Sequence, residues 1–271
     1  MTQVSKQEST TRSWGNVVSE QGSAASLGVK VPLITLGFWV IKILSTGMGE
    51  TAADYFDKRF NPIYSVLTAG VILAFALWKQ FKAPTYEPKT YWFAVVMVSV
   101  FGTMVADAFH VALGVPYSIS TPFFVIAVGV CLAWWYRVEG SLSIHTIVTP
   151  RRELFYWATV MATFALGTAA GDLTAMSLNW GFFTSGALFA VAFAIPVLAY
   201  KFFNMNEVLA FWMAYIITRP FGASFADWMG VPKERGGLAF GTGPVSIVLT
   251  VIIVVLVLRA SGNASVEEPA H

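Results

Sequence analysis

A segment of sixteen residues recurs four times along this chain, and each copy runs from a tryptophan to an aspartate. The copies read WVIKILSTGMGETAAD from Trp39, WFAVVMVSVFGTMVAD from Trp92, WATVMATFALGTAAGD from Trp157 and WMAYIITRPFGASFAD from Trp212. In each copy a glycine lies ten residues after the tryptophan, and the aspartate lies fifteen residues after it. Four of the five aspartates in the chain occupy this position. Such self-similarity indicates a fold built from one repeated structural unit.

The spacing between the copies indicates how the units are paired. The aspartates of the first and third copies are 118 residues apart and those of the second and fourth are 120 apart, whereas successive copies are separated by 53, 65 and 55 residues. This predicts a helical hairpin duplicated twice, with one four-helix half over residues 30–138 and another over 139–260. Because each unit contains two helices, all copies cross a membrane in the same direction, and an axis along the membrane normal relates them.

The composition places the repeats in an all-α polytopic membrane protein. Hydrophobic residues make up 56% of the chain and charged residues 12%, whereas soluble domains carry about 25% charged residues. The net charge of +2 gives no reason to expect a nucleic-acid partner, so the lipid bilayer is the expected surrounding, and the oligomeric state is left open. Eight stretches are long and apolar enough to span a bilayer. They are Val31–Phe56, Ile63–Phe81, Tyr91–Leu113, Thr121–Arg137, Glu153–Leu178, Phe182–Phe203, Glu207–Met229 and Gly241–Arg259.

The distribution of basic residues predicts which ends face the cytoplasm. With the N-terminus inside, the inner segments hold eleven Lys and Arg residues and the outer loops hold four, so both termini are expected to be cytoplasmic. Residues 1–29 are polar and aperiodic and are predicted to form a disordered cytoplasmic tail. Residues 261–271 are predicted to form a second, shorter tail.

The repeated aspartates are the main candidate functional residues. Asp54, Asp107, Asp172 and Asp227 lie about 22 Å along their helices from the tryptophans, toward the outer end. Ionisable groups inside spans cost at least about 2.5–3.5 kcal/mol each, so they usually mark a binding site or a pathway. Alternatively, each aspartate serves structure alone, either at the membrane interface or at the N-terminus of the next helix.

Oxygen-bearing side chains extend the candidate site by one helical turn. Glu50, Thr103 and Thr168 precede three of the aspartates by four residues, and carboxylate and hydroxyl oxygens suit Mg²⁺, Ca²⁺ or Mn²⁺. His110, one turn beyond Asp107, adds a nitrogen that favours Mn²⁺ if it ligates; otherwise it is a structural histidine. The sequence therefore predicts a divalent cation as the bound species and no covalently attached cofactor.

Three further sets of residues have predicted structural or electrostatic roles. Lys42 and Arg219 lie within the spans and break the repeat symmetry, so they are expected to compensate the charge of the carboxylates when no cation is bound. Small residues let helices approach closely, and this role is predicted for the repeated glycines Gly49, Gly102, Gly167 and Gly222. The repeated tryptophans are expected to anchor the helices at the membrane interface.

The first copy also carries a family resemblance. The stretch FWVIKIL followed by GETAAD resembles an uncharacterised family of bacterial multi-spanning "membrane-anchored" proteins with a GET-type motif in the first helix. That resemblance implies an inner-membrane location and supplies no reaction. The repeated acidic motif also looks like that of cation exchangers and manganese exporters, although the chain lacks the Glu-x-Gly-Asp-Lys/Arg form typical of one such group.

These features lead to one functional hypothesis and two alternatives. The first is an inner-membrane transporter of a small cation, most plausibly a divalent metal such as Mn²⁺, with protons as a counter-ion. The second is a carrier of a small organic solute linked to protons or Na⁺, and the third is a structural or sensory membrane protein whose repeat serves helix packing. An enzyme is not expected, because the chain has no HExxH motif, cofactor loop or supported Ser/His pair.

Overall fold

The computed structural model describes residues 28–111 and 113–265, and all of the regular structure within them is helical. The predictions for residues 1–27 and 266–271 lie outside the described residues. Eight long α-helices follow one another along the chain. They are α1 Leu36–Arg59, α2 Pro62–Lys82, α3 Pro88–Val111, α4 Tyr117–Glu139, α5 Pro150–Asp172, α6 Phe182–Phe203, α7 Glu207–Gly230 and α8 Thr242–Ser265.

Seven of these helices are long and apolar enough to cross a membrane, as a multi-pass membrane protein requires. The exception is α1, whose apolar character is interrupted by Lys42, Glu50 and Asp54 and by the charged end Asp57–Arg59. The expected succession of eight long helices is confirmed, while several of their boundaries differ from expectation. Helix α1 begins at Leu36 rather than Val31, because the Thr35 hydroxyl accepts a hydrogen bond from the Phe38 amide (3.2 Å) and caps it. Helix α8 runs to Ser265, five residues into the predicted tail.

The odd-numbered helices form a closed central ring. Helix α1 packs on α3, α3 on α5, α5 on α7, and α7 back on α1. Each even-numbered helix lies outside this ring and packs chiefly on the odd helix that follows it, so α2 packs on α3, α4 on α5, α6 on α7, and α8 on α1. Over their most apolar windows, α3, α5 and α7 are 61–67% buried, whereas the four peripheral helices are 17–22% buried. The four repeats therefore form a pseudo-fourfold ring in which each peripheral helix packs on the central helix of the next repeat.

The four repeated glycines join neighbouring helices of the ring. A Cβ on Gly49 would overlap Ser99, one on Gly102 would overlap Phe164, one on Gly167 would overlap Arg219, and one on Gly222 would overlap Thr46. In every case the partner residue lies seven positions after the tryptophan of the next copy. Helix backbones thus approach closely at four equivalent contacts, and the last contact closes the ring from α7 to α1.

Aromatic side chains close the end of the ring that carries the repeated tryptophans, called here the tryptophan end. Trp92, Trp157 and Trp212 are each only 3% exposed, so the expectation that these three anchor the helices at the membrane interface is wrong. They face the packed interior, where Trp212 also donates its indole N–H to the Leu142 carbonyl (3.0 Å). The preceding residues complete the closure, and all four are buried. They are Phe38, Tyr91, Tyr156 and Phe211.

A short extended segment, residues 28–35, crosses the tryptophan end and is called here the strap. The Lys30 amide donates to the Ile147 carbonyl (3.1 Å), and the Tyr86 amide donates to the Val29 carbonyl (3.0 Å). The Lys30 ammonium donates to Glu153 at 2.8 Å, and Gln80 donates to the other oxygen of that carboxylate at 3.0 Å. The strap is therefore tied to α2, to α5 and to both loops that precede central helices α3 and α5.

Candidate functional site

A cavity of about 540 Å³ lies at the opposite end of the ring, called here the aspartate end. Six carboxylates contributed by all four central helices line it, together with apolar and aromatic side chains and two basic residues. The carboxylates are Glu50, Asp54, Asp57, Asp107, Asp172 and Asp227. The ring thus brings together the five acidic residues predicted from the repeat and adds Asp57.

The four repeated aspartates share one level of the ring but differ in their surroundings. Asp172 and Asp227 are 9% and 6% exposed, whereas Asp54 is more accessible and forms an ion pair with Lys58. Within the described residues, Asp107 and Asp227 form no side-chain hydrogen bond and no ion pair, and so they do not cap a helix there. Buried carboxylates normally have such partners. A nine-tenths buried carboxylate that faces a cavity without one is suited to a ligand.

Glu50 lies one helical turn deeper than the aspartates and is held by two threonines. Thr103 and Thr168 donate hydrogen bonds to the same carboxylate oxygen, at 3.1 Å and 2.9 Å. Both threonines are buried and neither lines the cavity. The prediction that they ligate a cation directly is therefore not met in this conformation, because their hydroxyls are used to orient Glu50.

Lys42 and Arg219 lie still deeper, on the side of Glu50 toward the tryptophan end, and both are fully buried. The Lys42 ammonium lies 4.2 Å from the ring centre of Phe164 and 4.1 Å from that of Tyr215. The Arg219 guanidinium lies 3.3 Å from the Phe164 ring centre and donates to Ser99 at 3.2 Å.

Neither buried base compensates a carboxylate directly in this conformation. Within the described residues neither Lys42 nor Arg219 forms an ion pair, and the Lys42 ammonium has no hydrogen-bond acceptor. The predicted charge compensation is therefore limited here to electrostatic attraction between Arg219 and Glu50, without a direct contact. The rings of Phe164 and Tyr215 contact the two cations instead. Interactions with aromatic faces partly offset the cost of burying a cation.

His110 is not brought into the cavity. Its Nδ1 contacts the Val115 carbonyl at 2.6 Å, its Nε2 contacts the Ser120 hydroxyl at 3.2 Å, and its ring lies 3.6 Å from that of Tyr117. One nitrogen is thus engaged by the turn between α3 and α4 and the other by the first turn of α4, which corrects the prediction that His110 is a ligand. Among the described residues, no three His, Cys, Asp or Glu side chains are grouped closely enough to hold one metal ion.

Several cavity residues were not singled out from the sequence. Asp57 follows Asp54 by three residues and so lies on the same helical face, which the sequence could have indicated. Lys58, Tyr117 and Arg235 also line the cavity. They come from the ends of elements, and no repeated pattern marks them.

The repeats correspond to a known protein family. Four stretches match the family described as a Repeat of Unknown Function (DUF347), over residues 37–84, 90–141, 155–206 and 210–261. Each stretch contains one central helix and the peripheral helix that follows it along the chain. No curated protein and no solved structure matches the chain. The four matches cover most of the sequence, and the chain therefore belongs to the DUF347 repeat family.

Proposed function

We propose that this protein is a membrane carrier of a small cation, which binds in the cavity at the aspartate end. The observation that carries the proposal is that carboxylates from four separate repeats line one cavity, while Asp107 and Asp227 have no partner among the described residues. A helix-packing role alone gives no reason for acidic groups to share a cavity. A divalent metal such as Mn²⁺, Mg²⁺ or Ca²⁺ is the first candidate, bound with its own water molecules between the carboxylates.

Electrostatics supports exchange of the cation against protons. Carboxylates that share a site repel one another and hold protons unless a cation enters. Cation entry would therefore release protons, and cation release would take them up again. Such a site couples the two fluxes without any further group, which is the behaviour expected of a proton-linked carrier.

The two ends of the ring support a carrier rather than a channel. The aspartate end holds the cavity, while the tryptophan end is filled by aromatic side chains and crossed by the strap. A carrier opens to one side at a time through rearrangement of its repeats around a fixed site. In such a cycle, release on the other side would require the strap and the aromatic layer to separate.

Lys42 and Arg219 have a place in this cycle. Two fully buried bases that form no direct ion pair among the described residues are costly, so a conformation that brings either of them into contact with Glu50 would be favoured once the cation has left. The base would then act as a tethered substitute for the cation and would let the empty carrier reorient.

The membrane orientation completes the proposal. The excess of basic residues in the predicted inner segments, eleven against four, supports cytoplasmic termini and a cavity that opens to the outside. Helix α1 would then span the membrane as well, shielded by the other helices of the ring. The resemblance of the GETAAD stretch supports a bacterial inner membrane as the location.

Flux measurements with purified protein in liposomes test the proposal. Asp107→Asn and Asp172→Asn are expected to abolish cation uptake and the coupled movement of protons while the protein still folds. The matched control is Glu234→Gln, which removes one exposed carboxylate on the same end of the molecule but outside the cavity, and it should leave the flux unchanged. Normal flux in both aspartate variants would refute the proposal.

One observation favours a second candidate, a carrier of an organic solute. The cavity volume of about 540 Å³ falls in the range of roughly 300–1,000 Å³ that is typical of sites for small organic molecules. A metal ion does not need such a volume.

A further inference from the structure

The cavity is much larger than a hydrated metal ion. Six water molecules around an octahedral ion occupy roughly 180 Å³ when each takes its share of liquid volume, about 30 Å³, whereas the cavity measures about 540 Å³. Much of the remaining wall is apolar and includes Val66, Met104, Met176 and Phe182. Apolar walls gain free energy by contact with hydrocarbon and none by contact with water.

The carboxylates are spread along the axis of the ring rather than gathered around one point. Glu50, Asp54 and Asp57 follow one another on the cavity face of α1, and the helical rise separates them by about 6 Å and about 4.5 Å along the axis. No three acidic groups among the described residues are close enough together to hold a single metal ion. The carboxylates of α1 therefore extend over roughly 10 Å along the axis, and Lys58 pairs with the middle one, Asp54. Such an arrangement suits a cation that carries its charges at two separate points.

Two features of the carboxylates favour ligand binding in the cavity. The Asp227 side chain is 6% exposed, faces the cavity and has no partner among the described residues. Glu50, at the deep end, is held in one orientation by the two threonine hydroxyls. An acceptor at the deep end and others at the level of the aspartates would bind two cationic groups at once.

From this geometry we propose that the transported cation is a linear aliphatic diamine or polyamine; the inference rests on the proposed function. In an extended chain, two ammonium groups joined by four methylenes are separated by five bonds; because the chain zigzags, each bond of about 1.5 Å advances only about 1.25 Å, or roughly 6 Å in all. This matches the axial step from Glu50 to the aspartates. Each ammonium group offers three N–H donors, and the methylenes between them contact the apolar wall.

The match assigns a role to each part of the site. Glu50 binds the leading ammonium group, the aspartates Asp107 and Asp227 bind the second, and the flexible side chains of Met104 and Met176 adapt to the intervening chain. A monoamine of the same length can satisfy only one of the two levels. The difference in depth between Glu50 and the aspartates should therefore make the site prefer a diamine of matching length over a monoamine.

Binding measurements with four probes test the inference. The purified protein is titrated with butane-1,4-diamine, butan-1-amine, Mn²⁺ and Mg²⁺, and the dissociation constants are measured by calorimetry. We expect the diamine to bind at least tenfold more tightly than the monoamine. Glu50→Gln should reduce this preference to less than threefold, whereas Glu234→Gln should retain it.

The outcomes separate this inference from the proposed function. Equal affinity for diamine and monoamine, or a preference unaffected by Glu50→Gln, would overturn the assignment of two charge levels. Saturable binding and flux of Mn²⁺ without any binding of the diamine would overturn the amine inference and leave the cation carrier standing. Failure of every probe to bind or move would overturn both. If Glu50→Gln does not fold, the aspartate level is tested with Asp227→Asn, which should likewise reduce the diamine preference to less than threefold.

Discussion

Glu153→Gln is expected to destabilise the tryptophan end of the bundle. The Glu153 carboxylate accepts a hydrogen bond from the Lys30 ammonium at 2.8 Å and one from Gln80 at 3.0 Å. The side chains of Lys30 and Glu153 are 8% and 1% exposed. After the substitution, the Lys30 ammonium keeps the Phe81 carbonyl, at 3.0 Å, as an acceptor but loses its only counter-charge among the described residues.

The magnitude follows from the burial of this pair. Removing one partner of a buried ion pair costs about 3–5 kcal/mol, because the remaining charge is left uncompensated. For a chain of this size, the corresponding fall in Tm is on the order of 10 °C. The double variant Lys30→Met with Glu153→Met removes both charges, and its loss of stability should be smaller than the sum of the two single losses.

Thermal unfolding of the purified protein, followed by the fluorescence of its tryptophans, measures these losses. Arg151→Gln is the control, because Arg151 is 67% exposed and its acceptor Glu139 remains paired with Arg152 at 2.7 Å. Because Arg151 is exposed and Glu139 keeps its second partner, loss of the Arg151 contact should cost at most about 1 kcal/mol. A Glu153→Gln variant no less stable than the Arg151→Gln variant would refute the argument that the buried pair fastens the strap.

Three further predictions concern the ring and the buried bases. Gly167→Ala should lower the free energy of unfolding by about 1–3 kcal/mol, because its new methyl group overlaps Arg219 and overpacks the contact. The control is Gly129→Ala, whose methyl group has no neighbouring atom to overlap; it should not lower the free energy of unfolding in the same assay. His110→Ala should retain cation flux in liposomes, and loss of flux at normal folding would contradict its assignment to the α3–α4 turn. Lys42→Met should raise thermal stability by about 1–3 kcal/mol, since it removes a buried ammonium without an acceptor, while it slows cation flux; a fall in stability would contradict this.

Repeated patterns in the sequence determined that the fold is a bundle of long apolar helices. They also determined that the four repeated aspartates lie at the same depth. Apolar stretches of spanning length predicted the helices, and four copies with the same tryptophan-to-aspartate spacing predicted the repeat. Because an α-helix has a fixed rise per residue, equal spacing places Asp54, Asp107, Asp172 and Asp227 at equal depth in parallel helices. These conclusions need only the periodicity of one helix and the comparison of four similar segments.

Other conclusions depended on contacts between residues far apart in the sequence. Spacing alone could not predict the closure of α7 on α1, the packing of each peripheral helix on the next repeat, or the ion pair between Lys30 of the strap and Glu153. Local spacing also misled, since His110 is one turn from Asp107 yet turns both nitrogens away from the cavity. The helical period determines which residues share a face of a helix. Only tertiary packing determines which residues contact that face, because they come from other parts of the chain.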